Sequence, residues 1–333
     1  MPRPSHPSRR LVLAAAGAVS ALTALPSLAF AEDDFQVWLR TFKDEATRKG
    51  IRRATVEAAF ADIRQPIPRV LELDHKQPET TLTFDQYMEK VVTKERVALG
   101  KQHLDAHRRL LTAIGQRFGV QPRFIVALWG IETNYGKITG TYSVVGALAT
   151  LAYDGRRGNF FRGELLAALR ILDQGHIRPD ELRGSWAGAM GQIQFMPSSF
   201  LAYAVDYDGD GRQDIWNDLS DVFASVANYL SRCGWNGRQS WGQGVRLPAG
   251  FDMSLVDGRV RRSTAQWEAL GVRGYYGGAL MPSDSAGLIQ PGGPENPQDP
   301  VLMTFNNYRV IMKWNRSLYF STAVSYLADR IGN

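Results

Sequence analysis

A single cysteine, Cys233, is all the thiol that the 333 residues carry, so no internal disulfide can form. With no histidine partner in evidence, a lone thiol is packing rather than a nucleophile. Histidine is scarce as well, at five residues, and His176 has no neighbouring ligand types. It reads as a loop or surface residue, not a metal site. Neither sign of charge dominates: 39 Lys and Arg against 33 Asp and Glu leave a formal +6. That excess is too small to imply nucleic acid. No internal repeat is visible. No apolar run is suited to a permanent membrane span, because the longest, Leu11 to Leu28, is interrupted by Ser20, Thr23, Pro26 and Ser27.

That run reads as a leader instead. Arg3, Arg9 and Arg10 precede it, Ala29-Phe30-Ala31 is a small-residue cleavage site, and Glu32-Asp33-Asp34 follows. Residues 1–31 are therefore expected to be a signal peptide, giving a periplasmic protein with no transmembrane segment in its mature form. Ser8-Arg9-Arg10-Leu11 keeps a twin-arginine route open beside the Sec route. No cysteine lies near the cleavage site, so the protein is not expected to be a lipoprotein. Cleavage removes three positive charges and no acid, so +6 becomes +3. A mild basic excess suits a polyanionic cell wall.

What remains has the make-up of a globular protein, with 44% hydrophobic and 22% charged residues. Residues 32–114 read as a helical N-terminal part, since Phe35, Trp38, Leu39 and Phe42 recur at helical spacing. Residues 115–236 are again helix-rich and carry nearly all the motifs. After Gly234 the composition shifts, and residues 237–300 read as a small β-containing region. It ends in a loop, with five prolines and three glycines between Met281 and Pro300. Residues 301–333 close with a strand-like Tyr308-Arg-Val-Ile-Met-Lys-Trp and a helix from Ser317 to Ile331. The expected fold class is mainly α (α+β), a helical body with a small β-containing insertion.

The most informative position is Glu132. It ends the apolar run from Phe124 to Ile131, with Pro122 suited to a first helical position and Gly136 to a C-cap. A carboxylate at the end of a buried helix is poorly solvated and faces the negative end of the dipole, so its pKa should rise. An acid still protonated near neutral pH is what glycosidic bond cleavage requires. The alternative is a glutamate that caps its own helix or sits in an ion pair.

A second stretch runs from Gly184 to Ser199. Its small residues permit close backbone approach, and Ser185, Gln192 and Gln194 are placed to hydrogen-bond sugar hydroxyls. A tight helix-to-loop junction accounts for it equally well. Trp129, Tyr135, Trp186 and Phe195 are candidates for stacking on sugars or for packing.

A third stretch, Asp206-Tyr-Asp208-Gly-Asp210-Gly211-Arg212-Gln-Asp214, has oxygen ligands at positions 1, 3 and 5 and glycine at 6. The Arg212 carbonyl stands at position 7 and an acid at 9, as in an EF-hand calcium loop. Position 12 departs from the pattern, because Asn217 replaces the bidentate glutamate. Asp218 or Asp221 could close a longer loop. The expected role for Ca²⁺ is structural, not catalytic.

Glu132-Thr-Asn-Tyr-Gly, then Gly188-Ala-Met-Gly-Gln-Ile-Gln-Phe-Met-Pro-Ser-Ser, then the acidic loop, resemble the lytic murein transglycosylase B family in order and spacing. The similarity covers the chain from about Phe35 to the final helix. It implies a lysozyme-like catalytic core that cleaves the MurNAc–GlcNAc β-1,4 bond of peptidoglycan and leaves a 1,6-anhydromuramoyl end. Residue by residue, it makes Glu132 the single acid/base, and Ser185 and Gln194 substrate contacts. Tyr87 matches a cleft tyrosine and Asn315 a C-terminal cleft asparagine. The family's extended calcium loop favours Asp221 over Asp218, beside Asp206, Asp208, Asp210 and Arg212. Glycan strands are the implied partner, for a monomer, with cell-wall synthesis proteins as further candidates. A hydrolytic muramidase and a catalytically silent peptidoglycan-binding protein are the rival readings.

Overall fold

In a computed structural model the described residues are 28–76, 82–293 and 299–332. The expected signal peptide lies outside them up to residue 27, as do residues 294–298 of the Pro/Gly loop. Helix α1 (Leu28–Arg48) buries Phe35, Leu39, Phe42 and Ala46, one turn apart, and α2 (Arg53–Ala59) and α3 (Pro68–Lys76) follow. Helix α4 (Phe84–Val91) starts at a capping box in which Thr83 and Gln86 satisfy each other's amides. Helices α5 (Lys94–Ala106) and α6 (Arg108–Phe118) come next, the latter ended by Gly119 in the left-handed region.

Helix α7 (Pro122–Thr133) is buried on every side from Phe124 to Gly130, so it runs through the core rather than along a surface. A two-residue strand β1 (Tyr142–Ser143) leads into α8 (Val144–Asp154), then α9 (Gly158–Gln174) and β2 (Arg183–Gly184), which pairs with β1. Helices α10 (Pro197–Tyr203) and α11 (Leu219–Arg232) complete this part.

The β-containing part holds β3 (Gly242–Arg246), β4 (Asp257–Arg262), α12 (Thr264–Ala269), β5 (Arg273–Gly274), β6 (Ala286–Ile289) and β7 (Val301–Thr304). Its antiparallel sheet has the order β4-β6-β7-β3-β5, so the central strand comes from beyond residue 300. A small core of its own, around Trp267, Leu288 and Met303, lies apart from the main one.

The chain then returns to the helical body as α13 (Asn306–Trp314) and α14 (Leu318–Gly332). The strand expected at Tyr308 to Trp314 is thus a helix. Its β-branched residues suggested a strand, but Asn307, Tyr308, Val310 and Ile311 are buried while Arg309 and Lys313 are exposed. That is helical spacing, and packing decided the outcome. Helices α5, α6, α11 and α14 all pack on α7, which makes it the axle of the body.

Candidate active site

Helix α7 delivers Glu132 to the edge of this core, one residue before the helix ends. The C-cap is Asn134, not Gly136: Asn134, Tyr135 and Gly136 take φ values of 51°, 61° and 79° in succession. Two non-glycine residues in the left-handed region cost roughly 1 kcal/mol or more each. Side-chain bonds hold the turn. Tyr135 Oη donates to the Arg96 carbonyl at 2.6 Å, and Thr133 Oγ1 accepts the Gly136 amide at 2.9 Å. Gly130 lets the Tyr135 ring lie against the helix, since a Cβ there would meet that ring at 2.6 Å.

Trp314, the last residue of α13, donates its indole Nε1–H to Glu132 Oε1 at 2.6 Å. Its ring packs on Tyr229 and Phe195, with centroids 4.7 and 5.0 Å away. Burial among these groups pushes the Glu132 pKa up to about 8, and the Trp314 bond pulls it back only in part. No acidic neighbour contributes to that shift. Asp154, one of the next acids in sequence, is 3.8 Å from His75, and Glu164 caps α10 by accepting the Ser198 amide and hydroxyl at 2.9 and 2.6 Å.

The segment from Gly184 to Phe195 is tied to α7 through Gln192. Its Oε1 accepts from Trp129 Nε1 at 2.9 Å, its Nε2 donates to the Trp216 carbonyl at 2.9 Å, and its own carbonyl accepts from Thr133 Oγ1 at 2.6 Å. Gln192 is therefore a strut between α7 and the acidic loop, not a residue open to sugar. Gln194, at a φ of 50°, donates its amide to the Thr139 and Gly191 carbonyls at 3.0 Å each. Its Oε1 has no partner among the described residues. Ser185 Oγ accepts the Ala189 amide at 3.0 Å and keeps its own proton for another acceptor.

Asn315 follows Trp314 directly and is exposed, its Oδ1 accepting the Ser317 amide at 2.9 Å. Tyr87 is half-buried, 5.5 Å from the Tyr319 ring, and its link to Glu132 runs indirectly through α14, which packs on both α4 and α7. Of the aromatic candidates, Trp129, Tyr135 and Phe195 are buried in the core, and only Trp186 is part-exposed. Trp314 and the strut role of Gln192 escaped the sequence reading. An indole next to Asn315 carries no local signal of a contact 182 residues away.

In the acidic loop, carboxylate oxygens of Asp206, Asp208 and Asp210 lie within 4.8 Å of one another. Each also accepts a loop amide: Asp206 takes those of Gly209 and Gly211, Asp208 that of Asp210, and Asp210 that of Arg212. Asp221 stands beneath, buried, with its oxygens accepting the Tyr207 and Asp214 amides at 2.7 Å each. Burial pushes it up to about 6, and the charges of Asp218 and Asp208 add to that push. His176 lies in a loop and braces this one, accepting the Gln213 amide at 3.1 Å. Clustered hard oxygens with mutual repulsion are the donor set that a divalent cation neutralises, so these residues fit Ca²⁺.

The fold and site together define a lysozyme-like body with a glutamic acid, Glu132, whose pKa burial raises. The model of the transglycosylase SLT domain matches residues 34–329. The membrane-bound lytic murein transglycosylase B of Escherichia coli (strain K12) is 32% identical over 318 residues, covering 87% of this chain and 81% of that one. SltB3 from Pseudomonas aeruginosa, in complex with NAG-anhNAM-pentapeptide, superposes with a TM-score of 0.86 and 42% identity, covering 90% of this chain and 80% of that one. Slt35 of Escherichia coli, solved in complex with calcium, gives 0.76 and 29%, covering 88% and 92%. The chain belongs to the lytic murein transglycosylase B family.

Proposed function

We propose that this protein is a lytic transglycosylase that cleaves the MurNAc–GlcNAc β-1,4 bond of peptidoglycan and releases 1,6-anhydromuramoyl products. The observation that carries this reading is Glu132, protonated near neutral pH by its burial and without a second carboxylate influencing it. A retaining glycosidase places its carboxyl pair about 5–5.5 Å apart, and an inverting one needs a base for water. With one acid, Glu132 gives its proton to the leaving GlcNAc oxygen as the bond to muramoyl C1 breaks. As carboxylate it then takes the proton from the muramoyl C6 hydroxyl while that oxygen bonds to C1. The nucleophile is tethered to the sugar it attacks, so effective molarity replaces water.

Trp314 holds the carboxyl in place through both states. Ser185 Oγ–H, Gln194 Oε1, Asn315 and Tyr87 are assigned to binding the glycan. Ca²⁺ is assigned to Asp206, Asp208, Asp210 and the Arg212 carbonyl. Asp221 is the closing ligand, since each of its oxygens keeps a lone pair beyond the amide it accepts. The ion supplies structural charge balance and takes no part in catalysis. The expected setting is the periplasm, after removal of residues 1–31. Among the described residues no helix is long and apolar enough to cross a membrane.

The test is mass spectrometry of muropeptides released from purified sacculi. Wild type should release anhydro ends, and Glu132→Gln should release at least about 10³-fold less. Reducing ends from wild type would mean hydrolysis, and sacculus binding without any release would mean a silent binding protein.

A further inference from the structure

Between the sheet and α13 lies a cleft of about 540 Å³ that the chemistry at Glu132 does not use. Arg259, Arg309 and Lys313 line it, with Thr304 and Asn306 among its polar walls. Arg261 stands behind one wall, its Nη2 donating to the Thr304 carbonyl at 3.5 Å. Its pairing with Gly287 across β4 and β6 puts no side chain under the guanidinium, and a Cβ there would come within 3.2 Å of Nη1.

The positive charge here is poorly balanced. Neither Arg259 nor Arg309 forms an ion pair among the described residues, whereas Lys313 Nζ donates to the Cys233 carbonyl at 2.8 Å. Asp257 is the one acid lining the cleft, and its Oδ1 is occupied by the Arg259 and Val260 amides at 2.8 and 3.0 Å. Arg261 donates Nε and Nη2 to Ser285 at 2.8 and 2.6 Å, but its Nη1 is buried with no acceptor among the described residues. Burial, and then the Arg309 charge, push its pKa down. Asp257 offsets part of the Arg259 charge, and the excess of guanidiniums that remains favours an oxyanion here.

We propose that this cleft binds a carboxylate of the peptide that hangs from the glycan strand, with Arg309 and Arg259 as its contacts and Arg261 adding charge from behind the Thr304 wall. The proposal rests on the function given above. Its placement supports a peptide over other anions. From Arg309 to Trp314 the helix advances only about 7–8 Å, and Trp314 bonds Glu132. A peptide on a sugar held at Glu132 is within reach of such a pocket.

The test compares sacculi with the same glycan stripped of its peptides by an amidase. Arg309→Glu should raise KM roughly tenfold on the peptide-bearing substrate, leave kcat unchanged, and match wild type on the stripped one. Arg309→Lys should recover most of the loss. Equal loss on both substrates, or no loss on either, overturns the proposal. Should wild type release no anhydro product at all, the Glu132 reading fails first, and the cleft is then tested alone. Calorimetry of the free stem peptide with Glu132→Gln protein should show binding that Arg309→Glu abolishes. Binding that survives Arg309→Glu, or inorganic phosphate competing as well as the peptide, overturns the assignment.

Discussion

Glu132 and the loop from Asp206 to Asp214 use the same chemical group to opposite ends. Glu132 is one carboxyl among aromatic and aliphatic side chains, with one indole N–H to stabilise its charge, and its pKa goes up to about 8. The loop crowds acids at a water-facing turn, where each of Asp206, Asp208 and Asp210 accepts backbone amides. Environment alone decides that the first keeps its proton and the second invites a cation. Asp221 stands between these extremes, shielded from water but bonded by two amides, and it reaches only about 6. Gln192 joins the two regions physically, with Trp129 of α7 on one side and the Trp216 carbonyl on the other.

The largest effect expected of this contrast is on pH dependence. The acid form of Glu132 starts the reaction, so turnover should fall about tenfold per unit as pH rises above about 8. An alkaline limb near the usual carboxylate range, 4.5, would erase the contrast with the loop. Stability should carry the same signature. Below about 4.5 the group is protonated in both folded and unfolded chains and contributes nothing. Between about 4.5 and 8 only the unfolded chain ionises, so wild type loses stability as pH rises. Glu132→Gln cannot ionise, and its melting temperature should exceed that of wild type by a margin that widens from pH 5 to pH 8.

The loop should respond to metal where Glu132 responds to protons. At a free Ca²⁺ one hundred times its Kd, stabilisation is about 2.7 kcal/mol, read as a rise in Tm that a chelator reverses. Replacing Asp206, Asp208 and Asp210 together by Asn should abolish that response. A triple variant with an unchanged calcium response would remove the loop from consideration as an ion site. Severing the link comes next in size. Gln192→Leu leaves the Trp129 N–H and the Trp216 carbonyl unpaired, which should cost about 2–3 kcal/mol in denaturant unfolding.

How much of this is legible in the sequence follows from range. Pro122, the unbroken apolar run and the position of Glu132 at its end are local signals, and α7 ends within a residue of the expected point. The cap falls at Asn134, two residues before Gly136, because asparagine enters the left-handed region more readily than other non-glycine residues. The acidic loop is equally local, since spacing of aspartates and glycines is its whole content. Residues whose roles arise only from folding were not legible. Gln192 looked like a sugar contact because its partners, Trp129 and Trp216, stand 63 and 24 residues away. Tyr308 to Trp314 looked like a strand for the same reason: burial on the helical body, not local propensity, chose the conformation.

Trp314 offers the smallest and sharpest measurement. Its indole is the one described donor to Glu132, and a donor favours the charged form, so it holds the pKa below what burial alone would give. Trp314→Phe keeps an aromatic ring against Tyr229 and Phe195 while deleting the N–H. The alkaline limb should then move upward by about one pH unit, the equivalent of a single hydrogen bond to a charged group. Turnover well below that limb should fall only modestly, because the proton is still present and only its orientation has loosened. A limb that moved down instead would mean that Trp314 excludes water from the carboxyl more than it stabilises its charge, and that the ring dominates over the N–H at this site.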